Sequence, residues 1–504
     1  MSREIIVHFA LIPMRNAVHF LLDGRPVTLE FGTGSPWRPT TTLLQYLRAN
    51  PEHRGVKEGC AEGDCGACTV VLAEPRGGGG LTYRAVDSCL LFLPSLDRKQ
   101  LITVEDLTTP DGTLHPVQST LVEHYGSQCG FCTPGIVMSV FALYKSRVHV
   151  TRPLVIDALS GNLCRCTGYR PIIDAALEAC NEPRTDLFTA GEEGISQRLG
   201  AMTQEDLFIQ TDGQRYFRPG SLASALTYRS EHPDALIING ATDVALRVTK
   251  RHEILPSILD LSGIAELRYC NETTAGLEVG SGATIQDLLE ESHGMIPPLA
   301  QMLQVFGSKQ IRNVATVGGN IGTASPIGDM LPVLVALEAE VRLRSTRSSR
   351  SLPIGEFFTG YRQTDCRADE LITAVSIPAI PEGAIVRSYK VSRRHDMDIS
   401  SVSGGVRLRL DAQGVVEDIV LAFGGMAATP SRARQTEAFL RGEAWTRDAV
   451  EKSGSFMAKD FAPLTDVRGS AEYRSVVARN LLVKFWDETV HPHMTAGTEM
   501  TGTR

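Results

Sequence analysis

No apolar run in this sequence is long enough to cross a bilayer, which takes about twenty residues. Positive charge is not in excess either: 50 Lys and Arg stand against 58 Asp and Glu, a formal net charge of −8. That balance excludes a binder of phosphate backbones, which carries a basic stripe. Neither a membrane nor a nucleic acid is therefore an expected partner. The first residues, Met1–Arg15, are mildly apolar but broken by His8, Pro13 and Arg15, and no small-residue cleavage site follows. They read as a loose extension before the first strand and not as a signal peptide. No internal repeat stands out. No G-x-G-x-x-G follows a strand, so a Rossmann cofactor site has no support. The arginine-rich Val341–Ser351 alternates Val341 and Leu343 with polar neighbours, and reads as an exposed strand and turn rather than a recognition patch.

What the sequence does have is cysteine. There are 11, and eight fall in two tight groups before residue 170. An odd total in a long chain without a secretory signal argues against a disulfide framework. Clustered thiols in a reducing compartment are metal ligands, which points to a cytoplasmic location.

At 504 residues the chain has room for about three to four domains. Residues 17–31 read as two strands around a tight turn at Asp23-Gly24. A short helix over Thr42–Arg48, a Gly- and Cys-rich loop from Gly59 to Cys68 and further strands to about Cys89 follow. This makes a ferredoxin-like β-grasp domain over 16–95. Over 105–180 the apolar spacing turns helical, in four segments, three of them opening with proline. Residues 181–210 are polar and read as an interdomain linker. Short β runs alternate with helices and glycine-rich turns over 211–385, an α/β or α+β pattern, and 386–500 reads as a last α+β domain.

The first thiol group is Cys60, Cys65 and Cys68 with Cys89 as a distant fourth. C-x4-C-x2-C is the plant-type spacing for a [2Fe–2S] cluster. Two irons need four thiolates converging from one curled loop, and Gly59, Gly63 and Gly66 supply the backbone freedom. Structural zinc prefers two separated short pairs, so a three-thiol loop is atypical for it. The second group is Cys129 and Cys132, then a 31-residue gap, then Cys164 and Cys166. Each pair precedes a helix start, where negative charge is favoured. Taken alone, this spacing fits a four-thiolate zinc site as readily as a cluster. The C-x-C pair and the neighbouring cluster domain lean toward iron. Cys180, Cys270 and Cys366 stand alone and read as inert partly buried thiols.

Two glycine-rich stretches lie further on. Leu236–Leu246 is a β run entering a turn at Asn239-Gly240, with Thr242-Asp243 at a helix start. Phe306–Pro332 gathers Gly318, Gly319 and Gly322 with Asn320, Thr323, Ser325 and Asp329. Backbone N–H groups in such turns cradle pyrophosphate, and Asp329 is placed to accept from sugar hydroxyls. As bare turns they are equally readable as structural.

The strings KEGCAEGDCGACT, HPVQ at residues 115–118, QCGFCTPG and LSGNLCRCTGYRPI resemble the small subunit or N-terminal part of the molybdenum hydroxylases, the xanthine dehydrogenase family. The resemblance covers nearly all of the first 180 residues. It implies a second cluster beside a molybdopterin held by a large subunit, with Gln128 as the glutamine that touches the pterin. It extends over the flavin region, implying a vanillyl-alcohol-oxidase-like FAD domain and an α+β flavoprotein C-terminal domain, behind the β-grasp and four-helix [2Fe–2S] domains. By that resemblance Asn239, Gly240, Ala241, Thr242 and Asp243 form the first pyrophosphate loop. Thr316, Gly318, Gly319 and Asn320 belong to the second. Phe306 is the aromatic near the flavin or adenine, Asp329 the aspartate at the adenosine end, Ile372 the aliphatic beside the ring, and Lys390 a lysine near the cofactor. Ala241 departs from the family, whose animal enzymes carry a more polar loop there.

The chain ends near the close of the flavin module, so the molybdenum centre is expected on another polypeptide, in an α2β2 heterotetramer. The resemblance then implies a relay: electrons taken from hypoxanthine or xanthine at the partner pass through the helical-domain cluster, the ferredoxin-like cluster and FAD to NAD+. None of the His, Asp or Glu residues forms a convincing acid–base pair, and no catalytic residue is expected on this chain. Three rivals stand beside this reading: another molybdenum hydroxylase such as an aldehyde oxidase or an aromatic-CoA reductase component, a standalone iron–sulfur flavin reductase, and a cofactor-free binding module. Oxygen is the rival acceptor to NAD+.

Overall fold

In a computed structural model the chain divides into two units, one formed by Met1–Glu266 with Lys309–Val314 and the other by Leu267–Ser308 with Ala315–Arg504. The structure describes residues 15–491 apart from Thr33, Gly78, Arg147 and 183–185, so the expected N-terminal extension, Arg15 excepted, lies outside the described residues. The stretch read as one flavin domain, 211–385, is shared between the two units.

The first unit opens with β1 (Ala17–Leu22), β2 (Arg25–Glu30), α1 (Leu43–Ala49), β3 (Thr69–Pro75), β4 (Leu81–Asp87) and β5 (Gln100–Ile102), in sheet order β2-β1-β5-β3-β4. Asp23 (φ 50°) and Gly24 (φ 66°) are both left-handed, the turn that matches hairpin twist. Thr42 and Gln45 cap α1 reciprocally: the Thr42 hydroxyl accepts from the Gln45 amide at 3.2 Å, and the Gln45 side chain accepts from the Thr42 amide at 3.0 Å. The sheet is apolar on both faces. Val18, Phe20, Val70 and Leu72 join the α1 leucines in one core, while Leu21, Val71 and Ala73 face a second core.

That second core belongs to α2 (Pro116–Glu123), α3 (Thr133–Tyr144), α4 (Arg152–Leu159) and α5 (Arg170–Asn181). Each carries proline in its first turn, where the missing N–H costs nothing. Helix α3 is apolar nearly all round because it packs both on β3 and on its sister helices.

The polar stretch expected as a linker instead holds α6 (Leu187–Gly200). Its composition hides an amphipathic helix: Ile195 and Leu199 enter the second core, and Glu192 is buried because its carboxylate accepts from the Leu81 amide at 2.8 Å. The helix is anchored at Asp186. Its carboxylate accepts from the Thr189 amide at 2.5 Å and pairs with Lys145 at 3.2 Å. His115 stands 3.6 Å away, with its Nδ1 accepting from the Val117 amide. The unit closes with β6 (Leu207–Thr211), β7 (Gln214–Arg218), α7 (Leu222–Glu231), β8 (Leu236–Ile238), α8 (Ala245–Thr249) and β9 (Ser257–Asp260), in order β6-β7-β9-β8.

The second unit has a five-stranded antiparallel sheet, in spatial order Cys270–Thr273, Gly276–Gly280, Leu371–Pro378, Glu340–Arg344 and Ser349–Pro353. Here the exposed-strand expectation for Val341–Ser351 is corrected. Glu340–Arg344 is an inner strand whose Val341 and Leu343 are fully buried, and the arginines alternate outward onto carboxylates, Arg342 on Glu278 and Arg350 on Glu370 and Asp365. A four-stranded sheet led by Ala384–Val391, Val402–Leu410 and Val416–Gly424 follows, packed by the helices Arg434–Leu440 and Ala471–Val490, with Arg447–Asp460 behind them. Among the described residues no helix is long and apolar enough to cross a membrane.

Candidate functional site

Both thiol groups assemble, and each does so as two pairs. In the first, the Cys65 thiol donates to Cys60, and the Glu62 and Asp64 amides each reach the Cys60 sulfur at 3.4 Å. These contacts, the Cys65 hydrogen bond first, hold the Cys60 thiol down to about 5. Cys68 is paired with Cys89, and both are buried. In the second group Cys129 pairs with Cys166, and Cys132 with Cys164. Burial, then the Cys164 contact, pushes the Cys132 thiol up to about 12. Among the described residues no three or more His, Cys, Asp or Glu side chains are arranged to hold a single metal ion. Two-and-two pairing is what a diiron cluster takes, two thiolates to each iron, whereas a structural zinc draws four ligands to one point. The residues present therefore fit [2Fe–2S] clusters.

The loops are built for close approach. A Cβ on Gly59 would lie 2.8 Å from the Cys65 sulfur. A Cβ on Gly66, already left-handed at φ 64°, would lie 2.2 Å from the Gly161 carbonyl, and one on Gly135 would lie 2.0 Å from the Gly66 carbonyl. These contacts bring the two cysteine loops together. The Leu163 amide, one residue before Cys164, donates to the Cys65 carbonyl at 3.0 Å. Asn162 fixes that contact from inside: its amide donates to the Gly66 carbonyl at 3.1 Å and to Thr69 at 3.2 Å. The Asn162 oxygen accepts from Ser139 at 2.6 Å and from Gln310 at 3.0 Å.

Sequence reading missed Asn162 and Gln310, and also Asp87. The Asp87 carboxyl is fully buried, 3.7 Å from the Cys68 sulfur; burial, then the charge on Cys60, pushes it up to about 8. Its signal was a lone carboxyl ending a β run two residues before Cys89. Two His–carboxylate contacts are also present, His115 with Asp186, and His124 with Glu178 at 2.6 Å.

The expected flavin residues fall in both units. In the first, Asn239–Asp243 leaves β8 with Gly240 at φ 87° and Ala241 at φ 61°, two successive left-handed residues, before the Ala245 amide closes on the Ala241 carbonyl at 2.8 Å. A left-handed alanine is a costly backbone choice of the kind kept at ligand loops.

In the second unit Thr316 caps the helix Val317–Thr323, accepting from the Gly319 amide at 3.1 Å. Gly318 presses on Ser281, where a Cβ would come within 2.5 Å. Asn320 Oδ1 is buried there without a partner. That orphaned acceptor, beside a backbone cradle a side chain would fill, fits a bound dinucleotide. Thr323 donates to the Gly319 carbonyl at 2.8 Å, and Ser325 accepts from the Ile327 amide at 3.4 Å. Ile372 lies 3.5 Å from where a Gly322 Cβ would sit. Asp329 and Lys390 meet at 2.8 Å. The Ser400 hydroxyl donates to the other Asp329 oxygen, and Lys390 also donates to the Val305 carbonyl at 2.7 Å, next to Phe306. Burial pushes the Asp329 carboxyl up, against Lys390 and Ser400.

Comparison with known proteins agrees with this anatomy. Residues 23–85 match the 2Fe-2S iron-sulfur cluster binding domain and residues 103–177 the [2Fe-2S] binding domain. Residues 210–380 match the FAD binding domain in molybdopterin dehydrogenase, and 387–489 the CO dehydrogenase flavoprotein C-terminal domain. Fold and sites thus define an iron–sulfur flavoprotein of the oxidoreductase class, with two [2Fe–2S] clusters and FAD as its cofactors. The chain is 33% identical to a xanthine dehydrogenase of Emericella nidulans over 94% of its own length and 39% of that protein. It is 32% identical to xanthine dehydrogenase 1 of Arabidopsis thaliana, over 88% and 38%. A carbon monoxide dehydrogenase chain from Hydrogenophaga pseudoflava superposes with a TM-score of 0.51 at 26% identity, over 53% of this chain and 94% of that one. These matches fit an iron–sulfur and FAD-binding portion of the molybdenum hydroxylase family. The chain spans about two-fifths of the length of the curated relatives it matches.

Proposed function

We propose that this chain is the electron-transfer subunit of a xanthine dehydrogenase, working with a molybdopterin-bearing partner in an α2β2 assembly and passing electrons to NAD+. The observation that carries the reading is the pair of two-and-two thiol sets joined by a backbone hydrogen bond at Cys65. Cys60, Cys65, Cys68 and Cys89 would hold one cluster and Cys129, Cys132, Cys164 and Cys166 the other. In the first unit Asn239–Asp243 are the residues proposed to contact FAD, and in the second unit Thr316–Asn320 with Phe306, Asp329, Ile372 and Lys390 are so proposed. Bound there, the clusters carry single electrons and the flavin collects two and gives a hydride.

The chain's own work is placement. Glycine contacts and Asn162 keep the two cysteine loops at backbone distance, and burial of Cys68 and Cys89 keeps water from one half of the first set. The other set supports a docking role: Cys129, Cys166 and Gln128 are exposed, as are the apolar Tyr125, Phe131 and Leu163 beside them in sequence. The likeness to xanthine dehydrogenases over nearly the whole chain supports a purine as substrate. The carbon monoxide dehydrogenase likeness favours a second reading, a different molybdenum hydroxylase with the same relay. Xanthine-dependent NADH formation by the purified complex tests the choice. Activity with aldehydes alone would exclude a purine substrate, and iron and flavin without any molybdenum-bearing partner would exclude the assembly.

A further inference from the structure

Helix α8 starts directly after the Asn239–Asp243 loop and packs on the turn Ser88–Leu90 that carries Cys89. Its Leu246 and Val248 meet the same apolar core as Cys68 and Cys89. Just past its end Lys250 reaches over the cysteine loop. Its Nζ donates to the carbonyl of Cys60 at 3.0 Å and lies 3.3 Å from Glu62. The loop is otherwise acidic, with Glu58, Glu62 and Asp64 on it. Its own cation, Lys57, is turned away onto the Arg54 carbonyl at 2.7 Å. A positive charge is thus delivered to the ligand residue Cys60 from the helix that follows the first flavin loop.

We propose that Lys250 sets the reduction potential of the group held by Cys60, Cys65, Cys68 and Cys89, which rests on reading those four as ligands of a [2Fe–2S] cluster. Reduction there adds one electron and one negative charge and neither makes nor breaks a bond. Net charge and hydrogen bonding around the thiolates are what tune such potentials, and a nearby ammonium stabilises the more negative state. Lys250 therefore makes this cluster a better electron acceptor. A purely mechanical clip is the competing role, and the ion pair with Glu62 separates the two. Loss of either partner loosens the loop alike, but the two losses change the charge in opposite senses.

The test uses the full chain with its native cofactors, poised at one fixed potential and read by EPR as the ratio of first to second cluster reduced. Lys250→Gln lowers that ratio by about threefold or more, Glu62→Gln raises it, and Lys250→Arg holds it within about twofold, the scale of a half-exposed pair. Added salt shrinks both shifts. An unchanged ratio in Lys250→Gln with both signals intact, or shifts of the same sign in Lys250→Gln and Glu62→Gln, overturns the proposal. Should Lys250→Gln fail to hold its cluster, Glu62→Gln decides alone, and a ratio that stays level or falls is the contrary result. A wild-type chain without the first signal overturns the ligand assignment and this proposal with it.

Discussion

Replacing Asp186 by Asn tests whether the segment before the flavin region is fastened to the helical cluster domain. The Asp186 and Lys145 side chains are 1% and 2% exposed, and they meet at 3.2 Å, with the Thr189 hydroxyl 2.8 Å from the same ammonium. Burial raises the Asp186 carboxyl, but the contacts from His115, the Thr189 amide and Lys145 outweigh it and hold the group well below the usual carboxylate range. Asn keeps a cap for the Thr189 amide, so the cap itself contributes little to the loss. What remains is an ammonium buried without its counter-charge, which costs about 3–5 kcal/mol. The cost falls on α6 and its docking through Ile195 and Leu199, so amide exchange in 187–200 quickens by two to three decades for a loss of about 3–4 kcal/mol. The depressed carboxyl also fixes the pH dependence: its stabilisation is complete above the ordinary Asp value of about 4 and drains away as pH falls below it. A loss under about 0.5 kcal/mol, the range of an exposed pair, or unchanged exchange in α6, would show that Asp186 and Lys145 do not fasten this helix.

Gly66→Ala forces a Cβ to within 2.2 Å of the Gly161 carbonyl in a left-handed backbone, so it parts the two cysteine loops and lowers the iron bound per chain, measured by iron analysis of the purified protein. Cys132→Ser removes one EPR signal and leaves the other, whereas Cys180→Ser, at a thiol that burial alone pushes up to about 12, leaves both. Lys390→Met strips buried Asp329 of its cation; flavin per chain after gel filtration falls, and stability drops by about 3 kcal/mol, partly restored in Lys390→Met with Asp329→Asn.

Much of this was legible because chemistry left rigid spacings. C-x4-C-x2-C marks one loop with one curl, and the proline-led helices and the Thr42–Gln45 cap announce their own starts. Short β runs such as Leu236–Ile238 could be read from β-branched clusters bounded by turns. What stayed hidden depends on partners far along the chain. Residues 187–200 look like a linker because their inward apolar residues, Phe188, Ile195 and Leu199, are few, while their anchors, Lys145 and His115, lie some forty to seventy residues earlier. Val341 and Leu343 look half exposed until strands 276–280 and 371–378 are placed on the same sheet. Asn162, Gln310 and Lys250 carry no motif of their own. Their roles arise from contacts 93 and 96 residues apart for Asn162, 148 and 171 for Gln310 and 190 for Lys250.

Whether the eight cysteines form two separate [2Fe–2S] centres on one flavoprotein chain is decided by the EPR spectrum of the dithionite-reduced protein. Two distinct [2Fe–2S] signals, with a flavin radical at partial reduction, are the predicted result; a single cluster signal, or four-thiolate zinc in place of the second, would contradict it.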